Sequence, residues 1–157
     1  MANVKIEDVL PVPTEDEEQI QLFSWARYCR RKWPELDLLF HIPNGGKRGK
    51  VEAARFKAMG VKAGVPDVCL PVPRGGYHGL YIEMKRRRGG RVSQDQTEWI
   101  DALIHQGYVA VVCRGWIQAS EEIEKYLKME VKKHDGVDHG SDFRAHNPHS
   151  ANAWPDI

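Results

Sequence analysis

The sequence predicts an α/β protein whose mixed β-sheet is flanked by helices, in the order α-β-α-β-β-α-β-α. Two apolar runs, 68–70 and 79–84, flank a turn rich in glycine and proline, which is typical of a β-hairpin. A continuous apolar run from Tyr108 to Cys113 is typical of an interior strand. Amphipathic segments that begin at N-capping residues lie on either side of these strands and are expected to be helices.

Length and composition indicate a single main domain. The chain has 157 residues, which is enough for one core and too few for two ordinary domains. Its hydrophobic content of 41% and charged content of 29% are typical of a globular protein in water. We expect an N-terminal arm over 1–13, the folded domain over 14–131 and a disordered tail over 132–157, because the tail has few aliphatic residues.

Cysteine usage and hydropathy predict a cytoplasmic protein. No apolar run approaches the length of a membrane span, and the N-terminus lacks the apolar core of a signal peptide. The cysteines are odd in number and widely spaced, so free thiols in a reducing compartment are expected and a zinc site is not: Cys29, Cys69 and Cys113.

The first helix is predicted from Thr14 to about Lys32, before Pro34. Thr14 can cap it, and Glu17 stands at capping-box distance. A short strand over 38–42 follows.

A turn at 43–46 contains Asn44 and two glycines, whose backbone amides can hold an anion. Cations follow immediately, so the loop is a candidate contact for a phosphate backbone; a plain turn with flanking cations is the alternative. The next helix is predicted over 51–59, with Gly60 as its C-cap.

The second half begins with a helix capped by Ser93 that ends before Gly107. Strand 108–113 comes next, and a final helix covers 117–129. In the first of these helices, the apolar spacing predicts a buried stripe of Trp99, Ile100, Leu103 and Ile104.

The hairpin carries the strongest chemical signal. Side chains alternate between the faces of a strand, so Glu83 and Lys85 lie on one face and Met84 on the other. Asp67, at the start of the preceding strand, can lie across from that pair. Two carboxylates with one ammonium form a set that can hold Mg²⁺ and stabilise charge on a phosphate. The alternative is a surface hairpin with an exposed Glu/Lys pair.

Positive charge is concentrated in the middle of the chain. Residues 44–91 contain twelve Lys and Arg against three Asp and Glu, although the formal net charge of the whole chain is only +1. A basic centre of this kind is suited to a polyanion such as a nucleic acid. The alternative is a solvated basic face.

Four sequence blocks in this order resemble the VRR-NUC family of the PD-(D/E)xK nuclease superfamily. They are Asn44-Gly45-Gly46-Lys47-Arg48, Gly60-Val61-Lys62-Ala63-Gly64-Val65-Pro66-Asp67, Glu83-Met84-Lys85-Arg86 and Ser93-Gln94-Asp95-Gln96. The similarity covers roughly residues 15–117 and is to stand-alone phage-type members, which implies the cytoplasm of a bacterium or of a phage-infected host cell. It implies a restriction-endonuclease-like core.

The resemblance also implies a site. Asp67 and Glu83 would hold Mg²⁺ or Mn²⁺, the Met84 carbonyl would add an oxygen, and Lys85 would lie beside the attacking water. In this family a glutamate early in the first helix joins the metal site. Glu17 matches that position, and Glu18 is the adjacent alternative. A purely structural role for Glu17, as the capping partner of Thr14, is also compatible with the sequence. Gln96 corresponds to a glutamine near the metal that orients Lys85 or a water, although a surface glutamine is nearly as compatible with the sequence.

The function implied by the resemblance is a metal-dependent, structure-specific DNA endonuclease. A four-way (Holliday) junction resolvase that acts as a homodimer on branched DNA is the leading hypothesis. A flap or nicking nuclease and a non-catalytic DNA-binding module are the alternatives. The residues expected to contact the DNA backbone are Asn44, Lys47, Arg48, Lys50, Arg86, Arg87, Arg88 and Arg91.

Overall fold

The structure, a computed structural model, describes residues 11–43 and 50–131. Within these ranges the strands are β1 (Phe40–His41), β2 (Val68–Leu70), β3 (Leu80–Lys85) and β4 (Val109–Arg114). The helices are α1 (Glu15–Cys29), α2 (Lys50–Ala58), α3 (Gln94–His105) and α4 (Trp116–Leu127), and a 3₁₀ turn (Pro34–Leu38) follows α1.

The strands form one mixed sheet in the order β1-β2-β3-β4. β2 is antiparallel to both β1 and β3, while β3 and β4 are parallel. Parallel neighbours require a crossover connection, and α3 provides it. The predicted α/β class and the order of its strands and helices are therefore confirmed.

One face of β3 forms the centre of the core. Leu80, Ile82 and Met84 are buried and belong to the same apolar cluster as Leu22 of α1 and Ile123 of α4. Because side chains alternate along a strand, Glu83 and Lys85 leave β3 on the opposite face. The helix pair α1 and α4 thus covers one face, and the polar residues of β3 lie on the other.

Several boundaries differ from those expected. α1 ends at Cys29 instead of near Lys32. The predicted strand 38–42 is reduced to Phe40–His41, because Pro34–Leu38 forms the 3₁₀ turn. A proline at the start of that turn fixes its φ in the helical range, which favours helical geometry over a strand.

Helix α3 is less buried than its apolar spacing indicated. In α3 only Leu103 is buried; Trp99 and Ile100 are half-buried, and Ile104 is 51% exposed. None of the side chains that the structure describes in α2 is buried. Apolar spacing shows that a helix has an apolar face, but it does not show that another element covers that face.

Some expectations fall partly or wholly outside the described residues: most of the N-terminal arm, the loop with Asn44, Lys47 and Arg48, and the tail. The three cysteines are free thiols, as the sequence predicted. Within the described ranges, no helix combines the length and the apolar character needed to cross a membrane.

Candidate active site

Asp67 lies immediately before β2 and is tied to β3. Its Oδ2 accepts a hydrogen bond from the Met84 N–H at 2.8 Å. Val68 pairs with Ile82, so β3 extends beyond the beginning of β2, and the Asp67 side chain satisfies a backbone donor that β2 does not reach. The structure therefore brings Asp67 to the end of β3 that carries Glu83 and Lys85.

Glu83 and Lys85 form a buried, hydrogen-bonded pair. Lys85 Nζ donates to Glu83 Oε1 at 2.6 Å, and the two residues are 5% and 1% exposed. Gly90 permits this burial, because a Cβ at position 90 would lie 3.0 Å from the Lys85 Cβ. An exposed Glu/Lys pair on a surface hairpin, the alternative considered from the sequence, is thus excluded.

Gln96 links the start of α3 to the carboxylate. Its Oε1 accepts from the Ser93 N–H at 2.8 Å, which completes a capping box. Its Nε2 donates to Glu83 Oε1. One amide therefore caps the helix and orients the acid, whereas the sequence had suggested contact with Lys85 or a water.

The buried carboxylates have perturbed acidities. Burial raises the pKa of Glu83 to about 7; the Lys85 hydrogen bond lowers it, and the charge of Asp67 raises it further. Burial also raises the pKa of Asp67, and the hydrogen bond from the Met84 N–H opposes this change. Both acids are thus shifted mainly by burial, and Asp67 raises the pKa of Glu83 as well; perturbed acids of this kind are common at functional sites.

The donor set fits a hard divalent cation. Glu83 Oε2 is buried and has no hydrogen-bond partner among the described residues. Such an oxygen is costly unless something binds it, and Mg²⁺ or Mn²⁺ prefers oxygen ligands. In the described part of the chain no three Asp, Glu, His or Cys side chains converge on one point, so water would have to complete the coordination of an ion held by Asp67 and Glu83.

The Met84 carbonyl lies on the Asp67 side of β3. The Lys85 carbonyl accepts from the Gly115 N–H at 2.8 Å, at the end of β4. Successive carbonyls of a strand point to opposite edges, so that of Met84 points toward Asp67. This direction is compatible with the predicted oxygen ligand.

The geometry corrects the choice of helix glutamate. Glu17 is exposed and forms the capping box with Thr14, which is the structural role that the sequence offered as the alternative to metal binding. Glu18 is fully buried, but it accepts from Arg87 Nε at 2.7 Å and from the Trp116 N–H at 2.9 Å. Glu15 is the glutamate that reaches the site: its Oε2 lies 3.9 Å from Lys85 Nζ. Local spacing favours Glu17 as a cap, and only the packing of α1 shows that Glu15 points toward β3.

Sequence reasoning also missed His41. Its Nδ1 lies 2.8 Å from the Asp67 backbone carbonyl, which can only accept, so Nδ1 is assigned the proton and Nε2 carries the lone pair. The positive charge that this ring can carry lowers the pKa of Asp67. The pairing of His41 with Val68 in the sheet creates this contact, and no local sequence pattern predicts it.

The basic residues after β3 do not share one environment. All four arginines are exposed, but Arg87 is also the ion-pair partner of buried Glu18: Arg86, Arg87, Arg88 and Arg91. Lys50 begins α2, and Asn44, Lys47 and Arg48 lie outside the described residues. Arg87 therefore has a structural role that its place in the arginine run did not indicate.

Gly64 fixes the approach of the Asp67 segment to α3. Its φ is +83°, and a Cβ there would lie 2.5 Å from the Asp95 carbonyl oxygen. Only glycine permits this contact, because it tolerates positive φ and has no side chain. The segment before Asp67 is thus packed against the residue next to Gln96.

Comparison with known proteins identifies the family and the fold of the chain. The sequence profile of the VRR-NUC domain matches residues 17–116. A solved structure described as a "VRR_NUC domain protein" is 39% identical, with a TM-score of 0.66 over 76% of this chain and 93% of that chain. A search of curated proteins found no match. Because the profile covers well over half of the chain, and because a solved VRR-NUC structure shares its fold, the chain belongs to the VRR-NUC domain family.

Proposed function

We propose that the protein is a metal-dependent, structure-specific DNA endonuclease that hydrolyses phosphodiester bonds. Membership of the VRR-NUC family implies a nuclease-type function. The observation that carries the proposal is the buried Glu83 Oε2 with no partner among the described residues, beside Asp67 and Lys85. A carboxylate oxygen placed in this way has no evident structural purpose and is suited to a cation.

Each residue of the site has a definable task. When bound, Mg²⁺ or Mn²⁺ would be held by Asp67, Glu83 and the Met84 carbonyl, and would supply Lewis acidity and activate water. Gln96 keeps Glu83 in one orientation through the hydrogen bond to Oε1. Lys85 places an ammonium where negative charge develops on the phosphoryl oxygens during attack. Glu15, close to this ammonium, takes the helix-glutamate role that the sequence had assigned to Glu17.

The proposed substrate is branched DNA, with the four-way junction preferred. The described residues form an α/β unit with an acidic site and exposed arginines at 86, 88 and 91, and they include no additional domain for reading a base sequence. Backbone contacts position DNA but carry no sequence information, so recognition would depend on DNA shape.

We also propose a homodimer. A four-way junction has two-fold symmetry, and its resolution needs two matched incisions, whereas one chain supplies one Asp67–Glu83–Lys85 set. Two-fold dimers are the commonest assemblies and place identical sites in that relation. Exposed apolar residues of α2 and its C-terminal end offer surface for such an interface: Val51 is 87% exposed and Met59 is 66% exposed.

Cleavage of a DNA panel tests the function. Four-way junction, flap, nicked duplex and linear duplex are incubated with Mg²⁺, Mn²⁺ or EDTA, and the size of the protein in solution is measured. We expect junction cleavage by a dimer in either metal and none in EDTA. A preference for flaps or nicked duplex would favour the alternative nuclease, and binding without cleavage in every metal would favour a non-catalytic module.

Variants test the assignment of the site. Asp67→Asn and Glu83→Gln should each abolish cleavage and leave junction binding within a few-fold of wild type, since removing a carboxylate does not weaken binding to a polyanion. Lys85→Ala should also abolish cleavage, and it should leave binding within a few-fold of wild type because Lys85 is only 5% exposed. Glu98→Gln, on the exposed side of α3, is the matched control and should cleave normally. Retained cleavage by Glu83→Gln would overturn the assignment.

A further inference from the structure

A second basic surface lies at the other end of α1, away from the candidate active site. We call it the α1 C-terminal surface; its residues are Arg27, Tyr28, Arg30, Arg31 and Lys32. They line an open groove of about 790 Å³ together with Cys29 and Asp37. All five are exposed. None of them belongs to the basic block of residues 44–91.

The positive charge of this surface is only partly compensated. Arg30 pairs with Asp37 at 3.6 Å, and Lys32 pairs with Glu124 at 3.0 Å. Within the described part of the chain, Arg27 and Arg31 have no carboxylate within 4 Å; Arg27 donates to the Ser24 hydroxyl. Exposed ion pairs contribute little, so an arriving phosphate can exchange with Asp37 at small cost.

Tyr28 adds an aromatic group to the cations. Its exposed fraction is 87%, so it has no packing role in the described chain. Exposed aromatic rings between cations are typical of surfaces that bind nucleic acid, because bases stack on the ring while cations contact phosphates. Stabilisation of the helix C-terminus accounts for only part of this charge: Arg27 lies in the last turn of α1, and the C-cap residue Arg30 donates from Nε to the Arg27 carbonyl at 3.3 Å, whereas Arg31 and Lys32 lie beyond the helix.

The position of this surface determines what it can contact. Arg30 is fifteen residues after Glu15, and a helix rises 1.5 Å per residue, so the surface lies about 22 Å from the candidate active site. One strand of duplex DNA advances about 3.4 Å per base pair, so the two sites are about six base pairs apart on a straight duplex. This surface therefore cannot contact the phosphate that is cleaved.

We propose that the α1 C-terminal surface is a second DNA-binding site, which holds the phosphate backbone of the substrate about six base pairs from the point of cleavage, with Tyr28 available to stack on an unpaired base. The inference rests on the proposed nuclease function, because it assigns this surface to the same DNA. It adds a contact to an arm of the substrate that the residues around Lys85 do not reach.

The test measures DNA binding without cleavage, in EDTA, as a function of salt. Arg31→Gln and Lys125→Gln each remove one exposed positive charge, but Lys125 lies on α4 and outside the groove. Each phosphate contact contributes roughly 0.9 to the log–log slope of affinity against salt. Arg31→Gln should lower the slope by about 0.9 and Arg27→Gln/Arg31→Gln by about 1.8, while Lys125→Gln should leave it unchanged.

Arm length and stacking provide independent readouts. Junctions whose arms end four base pairs from the branch should bind wild type and Arg27→Gln/Arg31→Gln equally, because the DNA no longer reaches the surface. Tyr28→Ala should weaken binding roughly 5- to 150-fold for DNA with an unpaired stretch, and much less for fully paired DNA. Circular dichroism and thermal unfolding confirm that each variant is folded.

The outcomes separate this inference from the proposed function. If wild type cleaves DNA but Arg27→Gln/Arg31→Gln binds with unchanged affinity and slope, the second site is refuted and the nuclease stands. If the slope falls as expected but wild type cleaves no DNA in either metal, the endonuclease proposal fails and the binding surface stands. If wild type binds no DNA, both are refuted.

Discussion

Replacing Glu83 by Gln tests how the site is held before any metal arrives. Glutamine keeps the shape of the side chain, and its carbonyl can still accept from Lys85 and Gln96, so the change removes mainly the charge. Glu83 is 1% exposed, and burial raises its pKa from the usual 4.5 to about 7. The measurement is made in EDTA, so that it does not depend on the metal proposed for the site.

The direction and size of the effect follow from that pKa. The folded protein keeps the Glu83 proton up to about pH 7, whereas the unfolded chain releases it near pH 4.5. The stability that this proton contributes is therefore fully present below pH 4.5 and is lost as the pH rises through about 7. At about 1.36 kcal/mol per pH unit, the interval corresponds to roughly 3 kcal/mol of unfolding free energy.

Urea unfolding between pH 4.5 and pH 8 measures this loss. The free energy of unfolding of Glu83→Gln, relative to wild type, should increase with pH by roughly 3 kcal/mol and level off above about pH 7. Glu121→Gln removes a charge from the exposed side of α4 and should follow wild type at every pH. A difference between Glu83→Gln and wild type that is equal at pH 5 and pH 8 would refute the reasoning.

Three further predictions concern residues that position the site. Gly64→Ala should lower the free energy of unfolding by more than about 2 kcal/mol, because it combines positive φ with a Cβ 2.5 Å from the Asp95 carbonyl oxygen. Gly60→Ala, at φ +91° with open space around it, is the control and should lower that free energy by only about 1 kcal/mol. Equal losses for the two variants would contradict the packing argument. Arg87→Ala should lower the free energy of unfolding by roughly 1–3 kcal/mol, because it removes a hydrogen-bond donor from buried Glu18. Arg86→Ala is the control and should change that free energy by no more than about 0.5 kcal/mol. Both are measured by urea unfolding, and an Arg87→Ala variant as stable as wild type would show that Glu18 does not need this ion pair. Gln96→Ala should reduce kcat for junction cleavage by at least about tenfold with nearly unchanged junction affinity, since it frees Glu83 to rotate. Gln94→Ala, which removes a contact with Glu98 on the outer side of α3, is the control. Equal kcat values for the two variants would exclude a positioning role for Gln96.

The sequence by itself determined the features that depend on neighbours along the chain. The caps at Thr14 and Ser93 follow from hydrogen bonds that span three residues, so their sequence patterns predicted the starts of α1 and α3. The shared face of Glu83 and Lys85 follows from the alternation of side chains along a strand. The turn between two apolar runs was enough to predict the hairpin that carries Glu83 and Lys85.

Tertiary structure decided which groups meet across the fold. Glu15 approaches Lys85, His41 contacts Asp67, and Arg87 pairs with Glu18 because α1 packs against β3 and because β1 and β2 pair in one register. Residue spacing carries no information on these contacts, since the partners are 26 to 70 positions apart in the sequence. The same limit explains why the sequence pointed to Glu17, with Glu18 as the alternative, and not to Glu15: all three lie in the first turn of α1, and only the direction in which that turn faces the sheet distinguishes them.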